Sequence, residues 1–159
     1  MKLRLVLLAA VGAAATLTLG AVAFAEPSGI GGVPLGATLT GAAECNNAGV
    51  CGLGDLDATG TIQLRLNPGR EEICFEVTTS GADPFFASHI HRAPAGIAGP
   101  IVVPTTGAFA GSASDCVFAE RSLILAIMED PAAYYFNAHN TAVPGGALRG
   151  QLGPVAPGQ

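Results

Sequence analysis

Between Gly60 and Val77 the chain spells out a β-hairpin, and this hairpin restricts the fold more than any other stretch. Ile62, Leu64 and Leu66 alternate with Gln63 and Arg65, the period of a strand with one buried face. Asn67-Pro68-Gly69 supplies a turn, after which Ile73, Phe75 and Val77 alternate with Cys74, Glu76 and Thr78. So amphipathic a pair must lay its apolar face on further strands. Strands are expected at 37–44, 85–91, 101–103 (stopped by Pro104), 134–139 and 147–152, with 105–115 read as a polar, Gly-rich surface excursion. Only 120–129 breaks the pattern: Leu123, Ile124, Ile127 and Met128 fall at helical spacing before Pro131, which predicts one short helix. About seven short strands with regular turn signals predict an all-β fold, an antiparallel β-sandwich with one short α-helix.

Residues 1–25 read as an address. Lys2 and Arg4 precede a mostly apolar run that ends in Ala23-Phe24-Ala25, the layout of a cleaved secretory signal peptide. A secreted or cell-envelope location is expected, with no membrane span after cleavage. The 134 residues left divide into a Gly/Pro-rich flexible leader (26–36), one domain (37–152) and a flexible tail (153–159). They carry five arginines, no lysine and twelve acidic residues, a net charge of −7. That charge disfavours nucleic acid and anionic membranes as partners. An extracellular protein or a small ligand is the expected partner.

Four cysteines in an exported chain point to disulfides. Cys45 and Cys51 flank a turn-rich loop, so a local staple there, with Cys74 joined to Cys116, is the natural choice among the three connectivities. A cysteine metal site lacks any C-x-x-C spacing.

Candidate chemistry lies in the three histidines. His89 and His91 are two apart in an expected strand and so share a face, with Ile90 turned into apolar packing. His139 ends a second strand. Three imidazole nitrogens suit copper or zinc with one position left open; the alternative is that each ring merely braces loops by hydrogen bonding. Asn137 and Gln151 share faces with His139 and Arg149, as outer supports of the rings or as ordinary cross-strand pairs. Arg149 would attract an anion or pair with Glu76 or Asp83. Tyr134, Tyr135 and Phe136 read as packing. No nucleophilic triad, phosphate loop or carboxylate pair is recognisable.

Several motifs occur in one order: Gly60-Thr61 opening a strand, Ile73-Cys74-Phe75-Glu76-Val77, His89-Ile90-His91-Arg92-Ala93-Pro94, Ala133-Tyr134-Tyr135-Phe136-Asn137-Ala138-His139 and Gly145-Gly146-Ala147-Leu148-Arg149-Gly150-Gln151-Leu152. In this the chain resembles the chordin-type (CHRD) domain, in the single-domain form of exported bacterial proteins. The matching positions are His89, His91, Asn137, His139, Arg149 and Gln151. In animals such domains occur in chordin, an extracellular antagonist of growth factors, but the cysteine-rich modules that accompany them there are missing from this sequence. The chain is also similar, more distantly, to copper–zinc superoxide dismutases, sandwiches with H-x-H on one strand, a later histidine and a downstream arginine. With no histidine left to bridge two metals, that likeness extends only to a mononuclear copper centre. Two functions follow: a binding or structural module of unknown ligand that carries a three-His metal site, with no catalysis of its own, or a copper-dependent redox enzyme of dismutase type.

Overall fold

The computed structural model describes residues 31–155. The expected signal peptide (1–25) lies outside the described residues. Nine strands form one antiparallel sheet: β1 (Val33–Thr40), β2 (Thr59–Asn67), β3 (Glu72–Ser80), β4 (Phe85–Arg92), β5 (Ile101–Thr106), β6 (Ser112–Phe118), β7 (Tyr134–Asn140), β8 (Leu148–Gln151) and β9 (Gly153–Pro154). Their order is β5-β4-β7-β8-β1-β2-β3-β6, with the two-residue β9 paired to β1. The sheet curls into a nearly closed barrel or sandwich. One helix, α1 (Arg121–Glu129), joins β6 to β7.

The β2–β3 hairpin pairs Leu64 with Phe75 and Leu66 with Ile73, as its alternation requires. Its apolar residues join Leu35, Leu39, Ile90, Phe136, Ala138 and Leu148 in a single core. Helix α1 contributes Ile124 and Ile127, both fully buried, while Leu123 and Met128 pack at the margin of that core. The helix therefore exists because its one apolar stripe closes over the curled sheet.

Four segments depart from expectation, each where backbone pairing outweighs side-chain pattern. The first strand starts at Val33, inside the expected leader, because its residues 33–40 pair in unbroken register with β2. It also ends at Thr40, leaving Glu44 outside it. The expected tail begins with β9, whose Gly153 and Pro154 pair with Gly36 and Leu35. The last four residues of the expected surface excursion, 112–115, open the edge strand β6. None of its residues is buried, so it shows no apolar alternation. It is fixed by its ladder on β3 and by the Cys74–Cys116 disulfide, whose cysteines are register partners. Strand β5 also runs past Pro104 to Thr106. Proline is tolerated because β5 is an edge, where a missing N–H breaks no ladder.

The second disulfide joins Cys45 to Cys51, so both bridges follow the expected connectivity. The smaller one closes a loop of six residues' separation, for which chain entropy gives a stabilisation of about 2 kcal/mol. The double variant Cys45→Ala/Cys51→Ala is expected to lose that amount in denaturant unfolding; no loss would mean that the loop's own hydrogen bonds suffice to hold it.

Candidate metal centre

Three neighbouring strands set out the site in rows. Registry in β4 and β7 places His91 opposite Tyr135, His89 opposite Asn137 and Ala87 opposite His139. Between β7 and β8, Tyr135 faces Gln151 and Asn137 faces Arg149. All these residues are odd-numbered and lie on the face away from the core, since Ile90, Phe136, Ala138 and Leu148 belong to the core. Strand β4 also carries two register shifts against β5, between Ser88 and His89 and between Ile90 and His91. Bulges of this kind re-aim side chains.

The three histidines meet. Nδ1 of His89 and Nε2 of His139 stand 3.2 Å apart, and one nitrogen from each ring lies within 4.8 Å of the others. His91 Nδ1 donates to Gly99 O at 2.8 Å, and His139 Nδ1 donates to Pro144 O at 3.0 Å. These carbonyls fix the tautomers and leave an Nε2 lone pair on each ring. The lone pair of His91 Nε2 is buried and has no partner among the described residues. An unmet buried acceptor is costly, and a cation shared with the other two rings would satisfy it. The 3.2 Å separation fits that role: with metal–nitrogen bonds of about 2.0–2.1 Å it corresponds to an angle of about 100° at the ion. The cluster can therefore hold a metal ion.

Electrostatics keep the rings ready for this. Burial, with His139 and His91 adding, pushes His89 down to about 4; burial also lowers His91, against the opposing effect of its bond to Gly99. Below the ordinary imidazole pKa near 6.5, the unfolded chain takes up protons that the folded chain accepts only nearer 4. These two histidines thus make the metal-free protein lose stability as pH falls from about 6.5 toward 4. Glu44, raised by burial, works in the opposite sense. Thermal midpoints of the metal-free protein should accordingly fall less steeply over this range in His89→Gln than in the native chain. Parallel pH profiles would refute the assignment.

Outer supports hold this geometry. The Asn137 amide comes within 3.1 Å of His139 Nε2. Tyr135 stacks on His91 with ring centroids 4.7 Å apart, and its hydroxyl accepts the Gly99 N–H. Arg149, only 1% exposed, pairs with neither Glu76 nor Asp83, because it lies beneath the loop that follows His91. Its guanidinium donates to Ile97 O at 2.9 Å, to Pro94 O at 3.0 Å and to Gln151 Oε1 at 3.4 Å, with its carbon 3.5 Å from the Tyr135 ring centroid. Gln151 donates to Ala93 O and Ala132 O. Together they pin the 93–100 loop that offers Gly99 O to His91.

Beside the imidazoles opens a cleft of about 520 Å³, lined by Glu44, Asn46, His91, Tyr135, Asn137 and His139 among others. Glu44 was not singled out by sequence. It sits past the end of β1 with no periodicity to mark it, next to the stapled Cys45. It is 4% exposed, its Oε2 lacks a partner, and burial raises its pKa against the pull of Arg149 and Asn137. Gly146 makes room for it, as a Cβ there would lie 2.5 Å from the carboxyl.

The family model described as CHRD domain matches residues 35–152. No curated protein and no solved structure matches the chain.

Proposed function

Given that the chain belongs to the CHRD domain family, we propose that it is an exported binding module whose three histidines hold one copper or zinc ion with a position open to the cleft. One observation carries this reading: the buried, unpartnered Nε2 of His91 within a cluster of three imidazole nitrogens. Imidazole donors suit both metals. When bound, the ion would supply a Lewis acid, or a redox couple in the case of copper. The chain's own part is to fix the tautomers of His91 and His139 through Gly99 O and Pro144 O and to brace His91 with the 93–100 loop. Two disulfides point to an oxidising, extracytoplasmic compartment, in keeping with export.

The binding reading stands ahead of the dismutase-type one because of Arg149. An anion-guiding arginine needs free N–H groups facing solvent, whereas three of the five N–H groups of Arg149 are engaged with loop carbonyls and Gln151 and the side chain is 1% exposed. Equilibrium dialysis of the domain against Cu²⁺ and Zn²⁺ is expected to give one ion per chain. No uptake of either metal would return the histidines to bracing roles, and superoxide turnover lost in His89→Ala would favour the redox enzyme.

A further inference from the structure

Two buried side-chain atoms beside the same cleft, His91 Nε2 and Glu44 Oε2, lack partners among the described residues. Both offer lone pairs, so the cleft is short of positive charge and of hydrogen-bond donors. A metal ion at the three histidines answers the first. It leaves the second, since Glu44 is not among the residues whose ligand atoms converge on that point. No arginine or lysine is among the described residues lining the cleft, and Arg149 is spent on the 93–100 loop. The cleft volume falls in the range of small-molecule sites.

We propose that this cleft binds a small nitrogen base that also carries an N–H, its lone pair directed to the metal's open position and its N–H to Glu44, which makes Glu44 the specificity-determining residue. The assignment rests on the metal reading of the same site and adds the class of ligand. An anion meets the opposite conditions. It could reach the metal, but it would sit beside the acidic Glu44 and bring no N–H to it, only further lone pairs. An N–H donated to Glu44 in its carboxylate form is a charge-assisted bond of the stronger kind and separates ligands that possess it from those that do not.

The test is calorimetric titration of the copper-loaded domain with imidazole, 4-methylimidazole, 1-methylimidazole and azide. The first two keep the N–H, the third lacks it, and 4-methylimidazole controls for the added methyl group. Imidazole and 4-methylimidazole are expected to bind about tenfold more tightly than 1-methylimidazole, with azide weaker than imidazole. In Glu44→Ala, at unchanged copper stoichiometry, the N–H preference should shrink to within about twofold. Should that variant fail to fold, the native chain's own ratio still decides. Equal affinities for imidazole and 1-methylimidazole, or azide as the tightest ligand, overturn the proposal while one bound copper per chain leaves the centre standing. Absence of copper uptake overturns both.

Discussion

Replacing Arg149 with Met will lower the unfolding free energy by about 3–5 kcal/mol, as expected when one side of a buried polar network is removed. The guanidinium is almost wholly enclosed, and its loss strands the carbonyls of Pro94 and Ile97 as well as its perch on the Tyr135 ring. Some of that could be recovered by Arg149→Lys through charge alone, but an ammonium lacks the planar fork that spans both carbonyls and stacks on the ring. Lys is therefore expected to restore less than half of the loss. Denaturant unfolding of the metal-free variants checks both figures. A loss below about 1 kcal/mol for Arg149→Met would place this arginine with ordinary surface residues and break the link drawn between β8 and the 93–100 loop.

The second large effect concerns His91. His91→Ala is expected to weaken metal binding at least about 100-fold, because removing a direct ligand should cost at least as much as removing one of its supports. His91→Phe should weaken binding equally, yet it keeps a ring on Tyr135 and removes the buried Nε2 that no group among the described residues satisfies. Its cost to the metal-free fold is expected to stay within about 1–2 kcal/mol, mainly from Gly99 O losing its donor. Competition with a chromophoric chelator reads the first quantity, and thermal unfolding reads the second. If both variants retain metal at native affinity, the centre does not use His91.

Much of this site is legible as alternation. The sequences His-x-His, Tyr-x-Asn-x-His and Arg-x-Gln each put their residues on one side of a strand, because strand geometry has a period of two. What alternation cannot give is registry between strands. The meeting of His139 with His89, against a residue fifty positions away, depends on how β4 and β7 align. Arg149 illustrates the limit: its face could be read, but its partners are backbone carbonyls, and those carry no residue code. The edge strand β6 escaped detection because an exposed edge has no buried face to write a pattern. Glu44 escaped for a related reason, lying in a connection where burial is imposed by the stapled loop and Gly146 and not by periodicity.

From Ala87 onward the odd and even positions of β4, β7 and β8 have separate duties, the imidazoles and their supports on one side and the interior on the other. Strand phase is thus a kind of reading frame. Deleting a single residue from the middle of β7, for instance Ala138, would swap the two scripts downstream, sending the His139 imidazole toward oil and bringing the Asn140 amide to the imidazole face. Point substitutions on the cleft side leave that frame intact. The domain should therefore tolerate wholesale rewriting of its ligand preferences by substitution, while resisting even the smallest change in the length of these three strands.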